Sequence, residues 1–292
     1  MTNTNFQSGT NTVPIDNAAP FFSVITIVKN GRQFVEQTIK SVLNQTYDSV
    51  EYIVVDGGST DGTIDIIKSY EHGIGKWISE EDHGIADAFN KGFSLCSGNY
   101  VLFLNSDDTL ADSGIFQTIA DRIIELGFPI LVYGDYVILD RESGGELYRG
   151  SVPFSFRGMK YGLVPPHPCL FTHRSFFERY GKFDTSFKIA MDYEFMLRGA
   201  LIENMVHLPI IVSRIRNGGV STGDRGCTVE EIIRALKKNG HVASMLSEFK
   251  MRGYFLLRAV SRMVLNKVGI YKAFFNLRTG LRIRKGNRSN LI

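Results

Sequence analysis

At 292 residues, 43% hydrophobic and 22% charged, the chain is too apolar to stay disordered and long enough for one large domain with appendages. Its three cysteines, Cys96, Cys169 and Cys227, are odd in number and far apart, which excludes a disulfide framework or a paired zinc spacing and fits a reducing cytoplasm. The net charge of +3 is segregated: from Arg225 onward fifteen Lys and Arg face three Glu, a net of +12 that leaves −9 for residues 1–224, so the tail is the basic part and an anionic membrane surface its expected partner, with a solvated helical face as the alternative.

Residues 1–20 are polar and lack the basic start and apolar stretch of a secretory signal; they are predicted as a disordered lead-in. No apolar run approaches the roughly 18 residues of a spanning helix. Phe21 to Val28 reads as a first strand, stopped by Lys29-Asn30-Gly31. Val35, Ile39, Val42 and Leu43 recur at helical spacing, and Tyr52 to Val55 gives a second buried strand ending at Asp56. A glycine-bearing loop, Gly57 to Gly62, leads to a helix marked by Ile64, Ile66, Ile67 and Tyr70. Lys76 to Ser79 is predicted as a short strand, Ile85 to Leu95 as a helix, and Tyr100 to Leu104 as an apolar strand running into Asn105-Ser106-Asp107-Asp108. Strands alternating with helices predict an α/β fold with a mainly parallel, Rossmann-like sheet covered on both faces, whose ligands sit beyond the carboxyl ends of the strands. Asn30, Asp56 and Asp107 therefore collect along one edge.

The second half is less regular. Leu131 to Leu139 reads as a strand, Pro165 to Pro168 forces an extended connection before Cys169 to Thr172, and mixed pairing is expected there. Tyr193 to Leu201 reads as a helix. The segments fall at 1–20, 21–224 (divided at 110) and a helical, basic extension at 225–292.

Asp107-Asp108 is the most informative pair. Adjacent carboxylates at the end of an apolar strand repel each other unless they share a cation, and hard oxygen ligands suit Mg²⁺ or Mn²⁺ completed by substrate phosphates. The alternative is a loop whose aspartates cap a helix from Thr109 to Ala111. Asp56 stands where a carboxylate accepts hydrogen bonds from a base or ribose, but no G-x-G-x-x-G follows the first strand, which argues against a dehydrogenase. Asp192 is either a first-turn acid favoured by the helix dipole or a functional carboxylate; Glu194 lies about 200° around the helix from it, so one of the two faces a site. Arg214 to Ser221, with Arg216 and two glycines, reads as a lid whose arginine meets a diphosphate, or as a surface loop. His167, set between prolines, faces an acceptor pocket or is structural.

Ser23 to Asn30, Ser41 to Thr46, Val54 to Thr63, Glu81 to Gly92, Gly98 to Tyr100 and Leu104 to Asp108 together resemble the nucleotide-binding half of family 2 glycosyltransferases, which have the GT-A fold. Pro166 to Phe171, Gly181 to Asp184 and Ala190 to Phe195 extend the resemblance. It implies an inverting transfer of a sugar from a nucleotide-sugar donor, UDP by default, to an acceptor hydroxyl on a saccharide or lipid-linked saccharide. It places Asp56 at the nucleobase, Asp107 at the ribose or metal, Asp108 on the divalent ion, Asp82 on the donor side and Asp192 as the general base, with Glu194 its neighbour on the acceptor side. Asn105 departs from the acidic residue common at its position. A sugar nucleotidyltransferase lacks support because its glycine- and basic-rich loop after the first strand is missing, and a binding module would not need the four aspartates together. The tail adds a membrane expectation: Leu257, Val260, Val264, Val268, Tyr271 and Phe275 form one apolar stripe, followed by a cluster of basic residues at 278–288. Nucleic acid is set aside because the rest of the chain is acidic.

Overall fold

A computed structural model describes residues 19–152, 154–200, 202–203, 205–219, 225–241 and 245–267. The first half is built as predicted. Strands β1 (Phe22–Val28), β2 (Val50–Asp56), β3 (Lys76–Ser79) and β4 (Tyr100–Asn105) alternate with helices α1 (Val35–Leu43), α2 (Thr63–Ser69) and α3 (Ile85–Leu95). All pair in parallel, in the order β3-β2-β1-β4.

Their continuous apolar runs have a reason in the side-chain period of two. Ile25, Ile53, Val55, Val101 and Phe103 enter one core with Phe89 and Phe93 of α3. Phe22, Val24, Tyr52, Val54, Tyr100, Leu102 and Leu104 enter the other with Val35, Ile39 and Val42 of α1. Each fully buried side chain of this kind contributes about 2 kcal/mol. The first core forces α3 close to the sheet: a Cβ on Gly92 would lie 2.3 Å from a methyl of Ile25.

The second half is mixed, as the proline-rich connection suggested. Thr109–Leu110 is a two-residue strand, β5, not a helix start, which removes the helix-capping reading of the preceding aspartates. After α4 (Ile115–Glu125) come β6 (Leu131–Leu139), β7 (Glu146–Gly150), the turn α5 (Phe156–Met159), a 3-10 turn at His167–Cys169, β8 (Leu170–His173), α6 (Arg174–Tyr180), α7 (Met191–Gly199) and β9 (Met205–Arg216). The sheet continues β4-β8-β6-β9-β5, with β7 on β6. β8 runs antiparallel to β4 and β6, whereas β9 runs parallel to β6. The β6–β9 register shifts between Tyr133 and Asp135, opposite Pro209, which has no N–H to give to a ladder. Arg214 and Arg216 lie in β9, so the predicted lid begins as a strand; Asn217 to Gly219 turn off it, and the rest of that segment falls outside the described residues.

Helix α8 (Arg225–Lys238) buries Ile232, Ile233, Ala235 and Leu236 in the first core. The boundary drawn at 224 thus separates in sequence what packs together in space. Helix α9 (Met245–Lys267) joins α8 through Lys237–Glu248 at 2.6 Å and the pairing of Arg252 with Glu230, and it seats Met251 and Phe255 on the core. Its other side leaves Phe249, Leu256, Leu257, Val260 and Val264 exposed. Val268, Tyr271 and Phe275 lie outside the described residues, as do most of the lead-in and the terminal basic cluster. Among the described residues no helix is long and apolar enough to cross a membrane.

Candidate active site

The ends of β1 and β4, the β6–β7 hairpin, the end of β9, the start of α7 and a face of α8 enclose a cleft of roughly 980 Å³, a size suited to a small-molecule ligand. Asp82, Asn105, Asp107, Asp108, His167, Asp192 and Arg216 all line it. Residues from positions 82 to 216 are gathered there by the parallel sheet edge and the return of β9.

The two adjacent aspartates have different environments. Asp107 is partly exposed, and its Oδ2 accepts a 2.7 Å bond from Arg141 Nη1. Asp108 is 1% exposed; Oδ1 accepts from the Arg216 backbone N–H at 3.0 Å and Oδ2 from Asn105 Nδ2 at 2.9 Å. Burial, then the neighbouring Asp107 charge, pushes the Asp108 carboxyl up to about 7. Each Asp108 oxygen thus already accepts one hydrogen bond inside the protein, whereas Asp107 is the more exposed of the two carboxylates that line the cleft. Asn105 now has a reason to be an amide. A carboxylate there would face Asp108 without the proton that Nδ2 supplies.

Asn105 Oδ1 lies 3.1 Å from His167 Nε2, and His167 Nδ1 lies 3.3 Å from Asp192 Oδ2. The polar chain Asp108–Asn105–His167–Asp192 thus joins the end of β4 to the start of α7. Asp192 also accepts from its neighbour's backbone, Tyr193 N to Oδ1, at 2.7 Å. Glu194 is different. It is fully buried, paired with Arg198, with Lys238 at 2.9 Å and with Asn239 at 3.2 Å. Burial raises its carboxyl, but these partners, Arg198 first, outweigh it and hold the group below the usual carboxylate range. Glu194 does not line the cleft, so its assignment to the acceptor side is withdrawn; the 200° separation on the helix is the cause.

Asp56 is fully buried at the end of β2. Its Oδ2 accepts from Gly58 N at 3.1 Å, Ser59 N at 3.0 Å and Ser79 Oγ at 2.7 Å, while Oδ1 is buried without a partner. An unpaired buried acceptor costs about 1–3 kcal/mol, an unusual expense for a structural residue. The Asp82 carboxylate lies against the neighbouring backbone: a Cβ on Gly57 would stand 2.1 Å from Asp82 Oδ2, so a larger residue there would displace that carboxylate. Asn30 does not line the cleft. Asn30, expected as a donor-binding residue at the end of the first strand, adopts φ 53° and ties down the glycine-bearing loop through Asn30 N to Ser59 Oγ, 2.7 Å, and Thr60 N to Asn30 Oδ1, 2.9 Å.

Sequence reasoning passed over Arg141 and Phe34. The guanidinium groups of Arg141 and Arg216 lie 4.9 and 4.4 Å from the centroid of the Phe34 ring, a stacking that fixes two cations at the rim beside Asp107. Arg216 is held further by Gln37 Oε1 at 2.6 Å. Arg141 sits in a polar hairpin turn whose composition signals only a turn; its partner is 34 positions away.

A divalent ion fits this donor set only if it is shared. Among the described residues no group of three or more His, Cys, Asp or Glu side chains is disposed to hold one. Asp107 offers the more exposed carboxylate at the strand end, and one or two carboxylates are sufficient for Mg²⁺ or Mn²⁺ when phosphates and water complete the shell.

With this geometry in hand, residues 23–181 match the profile of the family described as Glycosyl transferase family 2. The chain belongs to that family. The glycosyltransferase is 34% identical over 207 residues to the uncharacterized glycosyltransferase Rv1514c of Mycobacterium tuberculosis, covering 70% of this chain and 78% of the relative. It is 29% identical over 211 residues to a PGL/p-HBAD biosynthesis glycosyltransferase of Mycobacterium bovis, covering 70% and 80%. Among solved structures, S. aureus TarS residues 1–349 in complex with UDP is similar with a TM-score of 0.60 at 20% identity, covering 83% of this chain and 73% of that one. The mannosyltransferase PcManGT of Pyrobaculum calidifontis, in complex with GDP-Man and Mn²⁺, gives 0.58 at 16% identity, covering 95% and 86%. The fold is thus of the GT-A kind, and the enzyme is a glycosyltransferase.

Proposed function

We propose that the enzyme moves a sugar from a UDP-sugar to a hydroxyl of a saccharide or lipid-linked saccharide, with inversion, in the assembly of a bacterial surface glycan. The observation that carries the reading is the meeting of Asp107 and Asp192 on one cleft, from a strand end and a helix start, linked through Asn105 and His167. Asp56 Oδ1 is a buried acceptor that a nucleobase N–H would satisfy. A relative named for PGL/p-HBAD biosynthesis and a Bacillus subtilis relative, 45% identical over 95 residues, with the name putative teichuronic acid biosynthesis glycosyltransferase TuaG support the glycan assignment.

In this mechanism the donor diphosphate lies between Asp107 and the two stacked arginines, whose charge-assisted hydrogen bonds suit phosphate oxygens. Asp107 would hold a Mg²⁺ or Mn²⁺ ion, which supplies neutralisation of the departing nucleoside diphosphate. Asp192 takes the proton of the acceptor hydroxyl as its oxygen attacks the anomeric carbon, and the bond to the diphosphate oxygen breaks on the opposite face of the sugar. His167 fixes the direction of the Asp192 carboxylate. The exposed apolar side of α9 lies against an anionic membrane surface at the cytoplasmic face, where a lipid-linked acceptor is presented.

A thermal-shift panel of nucleoside diphosphates and nucleotide sugars, with and without Mn²⁺, tests the donor assignment. A ligand bound to the native state raises the melting temperature. UDP with Mn²⁺ is expected to give the largest shift, and equal shifts from all bases would remove Asp56 as a base-reading group.

A further inference from the structure

Helix α8 does more than fill the core. Glu231 is 7% exposed, and its carboxylate accepts three backbone N–H bonds of 2.8 Å each: Oε1 from Lys188, Oε2 from Ile189 and from Ala190. These amides lead directly into α7, whose N-cap residue is Ala190. Alanine has no side-chain acceptor, and of the three amides only that of Ala190 belongs to the helix start; those of Lys188 and Ile189 lie in the segment that enters it. Glu231 anchors this entry segment from another helix, and its negative charge sits near the positive end of the α7 dipole.

The same approach segment is pinned at two further points. Arg234 Nη2 donates to Ser186 O at 2.7 Å while its guanidinium lies 3.9 Å from the Phe187 ring centroid, and Lys238 pairs with Asp184 at 2.7 Å. One turn after another, α8 thus grips residues 184–190. Ile189, Ala190 and Met191 line the cleft, as do Thr228 and Ile232 of α8 itself, and Asp192 follows immediately.

We infer that Glu231 is a positioning residue for the transfer reaction: it touches no substrate but sets the entry angle of α7 and so the place of the Asp192 carboxylate. The inference rests on Asp192 being the general base. A displacement of about 1 Å in a reacting group costs on the order of 10²-fold in rate, so loosening this anchor should be visible in turnover before it is visible in donor binding. The donor groups Asp56 and Asp107 stand at the ends of β2 and β4 and have no contact with Glu231 among those described here.

The test compares Glu231→Gln and Glu231→Asp with Glu51→Gln. Glu51 is a control of similar kind: it accepts from Gly98 N at 3.0 Å and from Ser97 Oγ at 2.9 Å, near the start of the strands and away from the cleft. Turnover is read as nucleoside diphosphate release, with water as acceptor, from the nucleotide sugar that gives the largest thermal shift in a UDP-, GDP- and TDP-sugar panel. UDP affinity is read by calorimetry, and backbone hydrogen exchange reports residues 188–192. Glu231→Gln should speed exchange at 188–190 and slow release about 10- to 100-fold with UDP affinity within about twofold. Glu231→Asp, which keeps the charge, should recover part of the rate. Glu51→Gln should lose melting temperature without losing release rate. An unimpaired Glu231→Gln, or one no slower than Glu51→Gln at equal loss of melting temperature, overturns the inference. Asp192→Asn is run alongside: inactive Asp192→Asn beside active Glu231→Gln would sink the positioning role alone, whereas full-rate Asp192→Asn would remove the base and with it any reason to hold it in place.

Discussion

Arg141 and Asp107 form an ion pair at the site where the proposed metal and diphosphate meet, so removing the arginine should act in opposite directions on the two ligands. The pair is partly exposed, with side chains 42% and 23% accessible, and pairs of this kind contribute about 0.2–1 kcal/mol to stability. Arg141→Ala should therefore fold normally. Freed from its partner, Asp107 should bind Mn²⁺ alone about 1.4- to fivefold more tightly, the same ~0.2–1 kcal/mol read as an equilibrium constant. UDP in saturating Mn²⁺ should bind about 10- to 100-fold more weakly, because a hydrogen bond to a charged phosphate is worth about 1.5–3 kcal/mol. Calorimetric titration of Mn²⁺ and then of UDP measures both on one sample. Asp107→Asn, by contrast, should weaken both. If Arg141→Ala lowers the two affinities together, or moves neither, the arginine is not exchanging Asp107 for the donor and the placement of the diphosphate is wrong.

Asp192→Asn should bind UDP within about twofold of the native protein and lose on the order of 10²- to 10⁴-fold in turnover; near-normal release of nucleoside diphosphate would dismiss it as the base. Glu194→Ala should instead cost stability, about 3–5 kcal/mol, because it leaves the largely buried Arg198 unpaired, seen as a melting temperature lowered by about 6–10 °C. Because the Glu194 carboxyl is held below its ordinary 4.5, its contribution is present above that value and is lost as pH falls through the lower folded value; a variant whose acid unfolding matches the native curve would contradict the pairing. For α9, the triple change Leu257→Glu, Val260→Glu and Val264→Glu falls on side chains 69%, 44% and 50% exposed, so folding should survive while sedimentation with anionic vesicles is lost; unchanged sedimentation would assign that face elsewhere.

The parts of this protein legible in its sequence are those whose cause is local. Period-two apolar runs identify β1, β2 and β4 because each face of the sheet must be covered, and helical spacing identifies α1 and α3 for the same reason. The polar residues closing those strands then fall on one edge by topology alone. The helix period also separates Asp192 from Glu194 without any tertiary knowledge. What escapes is whatever depends on a distant strand or helix arriving. Glu231 is one such case, since nothing near it in sequence signals that its carboxylate will anchor the entry to a helix beginning some 40 residues earlier.

Asp107 and Asp108 show the limit most sharply. As a sequence they are equivalent carboxylates, and an argument from charge repulsion treats them as a pair. Their difference is made by β9, which returns to pair with β5 and brings the Arg216 N–H to Asp108 Oδ1 across 108 positions. That bond, with the Asn105 amide, gives a buried carboxylate the donors it needs, and its neighbour is left facing the cleft. The asparagine that looked like a weakened metal ligand is better understood as the donor that makes burial of Asp108 tolerable. Under the proposed mechanism, substitution of Asp108 therefore tests the anchoring of β9, while substitution of Asp107 tests the binding of the ion and the diphosphate.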